Sequence, residues 1–399
     1  MKVLQINSVY GIKSTGKICA GINDVLNSVG DESKTAYARD VVPSKYQNSA
    51  IKIGTAFDYK VHGLMARIFD NSGFGSVIAT KRLIKQIKNY NPDVIHLHNL
   101  HGYYVNLKVL FNFLKVYDKP VVWTLHDCWS ITGHCSHFDL IGCDKWKTGC
   151  YNCPQKSSYP KSFLFDNSKQ NYKRKKQLFT SINNLTIVTP SKWLADLVKQ
   201  SYLGNYPIKV INNGIDLSIF KPTKSNFREK YGLQNKKIVL GVAFGWGVKK
   251  GLDVFIELSK TLNNNYQIVL VGTNSDIDKQ LPSNIISIRK TNNQAELAEI
   301  YSAADVFANP TREDNFPTVN IESLACGTPI VTFNTGGSPE IIDETCGIGV
   351  DKNDVNGMKN AIVNVCENNL FSAEACVSRA KNYDMYDRFN DYVELYKKV

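Results

Sequence analysis

The stretch Asn309-Pro310-Thr311-Arg312-Glu313-Asp314-Asn315-Phe316-Pro317-Thr318-Val319-Asn320-Ile321-Glu322-Ser323-Leu324-Ala325-Cys326-Gly327-Thr328-Pro329 decides the fold. It leaves an apolar run at Val306–Ala308, crosses a polar loop, and takes up helical spacing from about Thr318. Gly327 and Pro329 stop that helix, and a new apolar run, Ile330–Phe333, follows. Strand, loop, short helix and strand is the repeating unit of a parallel α/β sheet. The start of such a helix carries backbone N–H groups without intrahelical partners, which suits phosphate oxygens. Asp314 precedes the helix and Glu322 lies inside it, on the order of 12 Å along the path at ~1.5 Å per residue. Acids that far apart cannot share a proton. They can hold two ends of one elongated ligand.

The same alternation extends in both directions. Strands are expected at Val3–Val9, Lys34–Arg39, Ala50–Gly54, Val94–Leu97, Val121–Leu125 and Leu185–Thr189, then at Ile238–Val242, Gln267–Val271 and Ile285–Ile288. Continuous Val/Ile/Leu runs separated by helical segments indicate doubly wound parallel sheets buried on both faces. A chain of 399 residues exceeds the roughly 250–300 at which single cores stop growing, so two domains are expected. Lys209-Val210-Ile211 reads as a strand, Asn212-Asn213-Gly214 as a turn, and the polar chain to Lys236 as a connection. The division is placed at Gly214. In open parallel sheets ligands bind beyond the carboxyl ends of the strands, so two such domains facing each other would line a cleft with strand-end loops.

Composition narrows the class. Hydrophobic residues make up 43% and charged residues 21%, as in globular proteins and unlike disordered ones. A net charge of +12 favours encounter with anions, whether nucleotides or acidic headgroups. Basic residues concentrate at Lys81, Arg82, Lys85 and Lys88, and at Lys169, Lys173, Arg174, Lys175 and Lys176, either as solvated helix faces or as a membrane-facing surface. They lack the interleaved stacking aromatics of a nucleic-acid module, and no nucleic-acid partner is expected. Met1-Lys2 leads directly into a strand-like run, and no apolar stretch approaches the ~18–20 residues of a spanning helix. A cytoplasmic chain, or one peripheral on the inner face of the membrane, is expected.

Three further motifs follow strand ends. Gly245-Trp246-Gly247-Val248-Lys249-Lys250-Gly251 opens a helix, where a lysine can meet a diphosphate as a point charge. In Asn334-Thr335-Gly336-Gly337-Ser338-Pro339-Glu340, helix capping accounts for Ser338, Pro339 and Glu340 but not for the glycine pair. Ser14-Thr15-Gly16-Lys17 follows the first strand as a helix-entry loop. Six of the seven histidines fall between His96 and His137, and His126 sits just past the run Val121–Leu125, where it could orient a ligand and stabilise developing charge. Cys135, Cys143, Cys150 and Cys153 crowd one loop, the last two as C-x2-C. A structural zinc, free thiols and disulfides are the three readings of that cluster.

The segment Asp314–Glu322 resembles the acid-x7-acid motif of the retaining glycosyltransferases of family 4, two-domain enzymes of the GT-B type. That resemblance implies two Rossmann-like domains, 1–214 and 215–376, with a closing helix from about 377–399 crossing back to the first. It assigns Asp314 to the donor sugar, although the usual first acid is Glu and Glu313 stands beside it, and assigns Glu322 to the ribose. Gly16, Lys249, Lys250, Asn315, Phe316, Pro317, Thr318, Gly336 and Gly337 would surround the nucleotide sugar. The family commonly has an arginine in the loop that here holds Lys249 and Lys250. His126 aligns with the histidine that contacts the transferred sugar, and the cysteine loop is similar to insertions in bacterial polysaccharide-assembly members. The implied activity is metal-independent transfer of a hexosyl or N-acetylhexosaminyl group, with UDP expected over GDP, to a hydroxyl of a lipid-linked cell-surface polysaccharide. The alternative is a nucleotide-sugar-binding protein without turnover.

Overall fold

The computed structural model describes residues 1–399. The chain forms two compact units, Met1–Asn212 together with Arg388–Val399, and Asn213–Asp387.

In the first unit seven strands, β1 (Lys2–Ile6), β2 (Glu32–Tyr37), β3 (Ala50–Lys52), β4 (Val94–Leu97), β5 (Val121–Thr124), β6 (Leu185–Thr189) and β7 (Ile208–Val210), form one sheet. Its order is β3-β2-β1-β4-β5-β6-β7, and every pair is parallel. The chain winds outward from β1 in both directions, so the crevice beyond β1 and β4 lies at the point where strand order reverses. Leu4, Ile6, Ile95, Leu97, Trp123 and Ile187 are fully buried in its main core.

The second unit repeats the plan with β8 (Lys237–Val242), β9 (Tyr266–Val271), β10 (Ile285–Ile288), β11 (Val306–Asn309), β12 (Ile330–Phe333) and β13 (Gly347–Val350). The order is β10-β9-β8-β11-β12-β13, again all parallel. Alternate residues of β8 and β9 serve two cores. Ile238, Leu240 and Val269 face one, Val239, Ile268 and Leu270 the other. A sheet covered on both faces requires the unbroken apolar runs seen in the sequence.

Two expectations are modified. β13 was not expected, because Gly347 and Gly349 depress strand propensity. The helix Ala373–Ala380 packs on the helix Thr318–Ala325 of the second unit, so the return to the first unit begins at Arg388 within the helix Met385–Tyr396, not near 377. In the aromatic stripe of that last segment Phe389, Tyr392 and Leu395 are buried, while Tyr386 remains 61% exposed.

Candidate functional site

In the second unit the loop after β11 is held by the loop after β8. Arg312 lies under both, making paired bonds of 2.7 Å to Asp253 and donating to the Val248 carbonyl at 2.6 Å and to Asn353 Oδ1 at 2.6 Å. Being thus occupied, Arg312 braces the loops. The acids beside it then separate. Glu313 is buried and pairs with Lys249 at 2.6 Å, whereas Asp314, more exposed, meets Lys250 Nζ at 2.6 Å. A buried acid under a lysine serves the fold, and the partly exposed pair is the one a ligand can reach.

Thr318–Ala325 forms the expected helix, with Pro317 at its N-cap and no capping side chain. Helices beginning after Thr55, Asn106, Ser191, Asn293, Asp354 and Ser372 all receive a side-chain cap. The first-turn amides at Thr318 therefore keep the anion-binding character that caps remove elsewhere. Glu322, one helical turn on, accepts from the Tyr301 hydroxyl at 3.2 Å, and Phe316 packs against Tyr383.

Gly336 and Gly337 fit against this loop. Gly336 adopts φ +56°, and a Cβ there would stand 1.8 Å from the Asp314 carbonyl oxygen. Gly337 N donates to the Asn315 carbonyl at 2.9 Å. Gly336 thus sets the height of the Asp314 backbone, a close approach that only a residue without Cβ permits, and the Gly337 amide ties Asn315 beside it. Gly337 itself is the N-cap of the short helix Ser338–Ile341, one residue earlier than expected, and Pro339 is its second residue.

In the first unit His126 follows β5. Its Nε2 lies 3.1 Å from His98 Nδ1, and the two rings stack with an interplanar angle of 12°. Burial pushes His126 down to about 4, so it is a neutral imidazole near pH 7. The adjacent Asp127 pairs with His101 Nε2 at 2.7 Å and accepts from the Trp129 amide at 2.8 Å. Burial alone would raise this carboxyl, but the His101 imidazole outweighs it and holds Asp127 at about 2. His96 reaches the Tyr396 hydroxyl at 2.6 Å and the Thr124 hydroxyl at 2.8 Å. From the sequence His98 and His101, which follow a strand end, are equally site residues or ordinary polar loop residues, and His96 has no role. The clustering of six histidines was the available signal, but it could not say which ones touch.

Gly16 differs from expectation. It lies within the helix Lys13–Ser28, where a Cβ would stand 3.1 Å from Val9 Cγ2. The absent side chain lets the helix close on the Val9–Tyr10 backbone, a packing role and not an open phosphate loop.

The four loop cysteines line one small cavity with His134, yet no group of three or more Cys, His, Asp or Glu side chains is arranged to hold a metal ion. The arrangement lends no support to the zinc reading of Cys135, Cys143, Cys150 and Cys153. Cys150 Sγ accepts from the Gly133 amide at 3.1 Å, the Cys135 thiol shares a hydrogen bond with Cys153, and His134 is turned to Asp70 at 2.5 Å. All ten cysteines are free. Lys175, read as part of a basic run, is also reassigned. Its Nζ is buried, donates to the Trp129 and Thr132 carbonyls at 2.8 and 3.2 Å, and lies 3.4 Å from the Trp129 ring centroid. Desolvation lowers it to about 7.

Two doubly wound parallel-sheet units, the second with acids, lysines and glycines gathered at its strand ends, are the architecture of a class of glycosyltransferases, and comparison bears this out at the level of family. Residues 55–219 match the model for Glycosyltransferase Family 4, and residues 236–368 match that for Glycosyl transferases group 1. The chain belongs to the family 4 glycosyltransferases. It is 28% identical to a chain of Escherichia coli named as the colanic acid biosynthesis glycosyl transferase WcaC, over 72% of this chain and 71% of that one. Among solved structures, sucrose-phosphate synthase from Thermosynechococcus elongatus superposes with a TM-score of 0.74 at 15% identity, covering 100% of this chain and 98% of the other. HepE of Anabaena, in complex with UDP-glucose, gives 0.67 at 15% identity with 100% of both chains covered. These structures establish the GT-B fold.

Proposed function

We propose that the chain is a retaining glycosyltransferase that moves a hexosyl or N-acetylhexosaminyl group from a UDP-sugar to a hydroxyl of a lipid-linked saccharide in cell-surface polysaccharide assembly. The carrying observation is the arrangement of Lys250, Asp314, the uncapped start of the Thr318 helix and Gly336–Gly337 around one loop of the second unit. Lys250 and the Thr318 amides suit a diphosphate, both as binding groups and as stabilisers of the leaving group. Asp314 serves the sugar and Glu322 the ribose hydroxyls. His126 contributes a neutral imidazole to the transferred sugar. UDP-glucose bound to HepE and the polysaccharide role named for the Escherichia coli relative support this donor and acceptor class.

A membrane-borne acceptor is supported by the surface of the first unit. The helix Ala56–Phe69 turns Phe57 and Leu64 outward at 75% and 57% exposure, and Phe163, Leu164 and Phe165 are more than half exposed beside it. Phe69 stacks on Phe165, and Lys161 Nζ lies 4.9 Å from the Phe163 ring centroid. Exposed aromatics with a lysine folded over one of them suit an anionic bilayer interface. No helix is long and apolar enough to span a membrane.

The test is thermal shift against a panel of nucleotide sugars, followed by transfer to saccharide acceptors. Binding of UDP-sugars with transfer supports the reading. Binding with no transfer under any acceptor, and no effect of His126→Ala or Asp314→Asn on ligand turnover, favours the non-catalytic binder. Equal, weak pelleting with anionic and neutral vesicles would remove the membrane part.

A further inference from the structure

The segment that leaves β5 folds back on the C-x2-C turn at Cys150 and Cys153 and joins two thiols that have no part in the proposed transfer. Cys135 is buried, and it shares a hydrogen bond with Cys153, which is half-buried between the exposed Asn152 and Pro154. His134 lines the same cavity. Its Nδ1 pairs with Asp70 Oδ1 at 2.5 Å, both side chains being almost wholly buried, and its Nε2 is buried with no hydrogen-bond partner. A carboxylate against one ring nitrogen favours the imidazolium. The bond with Cys135 holds Cys153 below the ordinary thiol range against burial, and the charge on His134 adds to it. The same bond pushes Cys135 up. Cys135 therefore keeps its proton and is closed off, while Cys153 is the thiolate that a reagent can reach. Cys150, also half-buried, is instead raised by burial to about 11.

We propose that Cys153 is a thiol-exchange site and Cys135 its resolving thiol, so that the pair closes reversibly to a disulfide on meeting a small-molecule disulfide. The Cys153 thiolate attacks one sulfur of R–S–S–R. That S–S bond breaks, giving a Cys153–S–S–R mixed disulfide and releasing RS⁻. Cys135 then gives its proton to solvent and attacks Cys153 Sγ, the mixed S–S bond breaks, and the second RS⁻ leaves. The two protein sulfurs together lose two electrons and the small disulfide gains them. The departing thiolates take up the protons that Cys153 and Cys135 gave to solvent. Sulfurs already in hydrogen-bond contact need only a small side-chain rotation to reach the bonded separation of about 2 Å. A reachable thiolate beside a resolving thiol is what makes redox-responsive cysteines selective. The new bond would tie the C-x2-C turn to the segment leaving β5. There the Cys128 amide donates to the Ser136 carbonyl at 2.9 Å and the Thr132 hydroxyl to the Cys135 carbonyl at 2.6 Å. This site is independent of the donor and acceptor proposed above.

In the test, reduced full-length protein, freed of reductant without air, is incubated with glutathione disulfide, and its thiols are then alkylated and mapped by mass spectrometry. The expected product is a disulfide between Cys135 and Cys153 that dithiothreitol reopens. Cys135→Ser removes the resolving thiol and should accumulate a glutathionyl adduct on Cys153. Cys153→Ser should give neither the disulfide nor an adduct at Cys135. Alkylation rates of the unaltered protein decide the matter if either variant fails to fold. Cys153 should react with iodoacetamide at least about tenfold faster than Cys143 or Cys150, the other half-buried thiols of the loop. A disulfide through a different pair, modification of Cys143 or Cys150 ahead of Cys153, no disulfide at all, or zinc held by these thiols in the purified protein overturns the proposal.

Discussion

The segment 306–342 of the second unit and the histidine-rich segment 96–137 of the first build their sites in different ways. In the former, Gly336 meets Asp314 and Gly337 meets Asn315 across two consecutive strand-end loops. In the latter, His98 is set by Gln5 from 93 residues away and His96 by Tyr396 from 300 away. One site is spaced by the chain, the other is assembled by the sheet. In the proposed reading the two also divide the work: the second unit presents charge and amides to the nucleotide and Asp314 to the sugar, and the first adds a neutral imidazole for that sugar. His126→Ala probes that division most severely. Loss of a group acting in the transition state is expected to lower kcat by about 10²–10³, with UDP affinity within about twofold by calorimetry. A comparable loss of UDP binding would show that the roles are not separable.

Glu322→Gln probes the other side. Removing a charged partner of a ribose hydroxyl forfeits about 1.5–3 kcal/mol, so UDP should bind about tenfold to a hundredfold more weakly. An unchanged UDP Kd would detach Glu322 from the nucleotide. Gly336→Ala tests whether the loop geometry is the cause. A Cβ 1.8 Å from the Asp314 carbonyl, at φ +56°, must displace that backbone, and we expect a loss of about 2–3 kcal/mol in urea unfolding with weakened UDP binding. A variant of normal stability and affinity would mean that the Asp314 loop is not held by this contact.

The contrast also explains what was legible. The parallel architecture could be read from apolar runs because β8 and β9 feed cores on both faces, which forbids polar alternation. Asp314, Lys250, Glu322 and the glycine pair could be found because each follows closely on the end of an apolar run. β13 was hidden by its glycines. The division of labour between Glu313 and Asp314 was hidden because it depends on which acid Lys249 and Lys250 each reach. The cysteine cluster was legible only in part, for a related reason. Spacing brought the thiols together, but Gly133, Asp70 and the thiols themselves determine their partners. No sequence interval encodes those contacts.

The smallest effect expected is thermodynamic, and it separates two kinds of buried histidine. His98 is held neutral, its value well below 6.5, chiefly by burial. His134 is raised, because although burial opposes its charge the Asp70 carboxylate more than compensates. For His98 the unfolded chain binds a proton that the folded chain refuses, so folding stability falls as pH drops below about 6.5, by up to about 1.4 kcal/mol per pH unit. For His134 the sign reverses. Its contribution is fully present below about 6.5 and is lost as pH rises through its folded value. His98→Asn should therefore flatten the acid side of the stability profile between about pH 6.5 and 5, whereas His134→Asn should leave that limb unchanged and remove a decline in stability above about pH 6.5. Urea midpoints at three pH values suffice to measure both. Parallel profiles for the two variants would show that neither ring's charge state is governed by the contacts described for it.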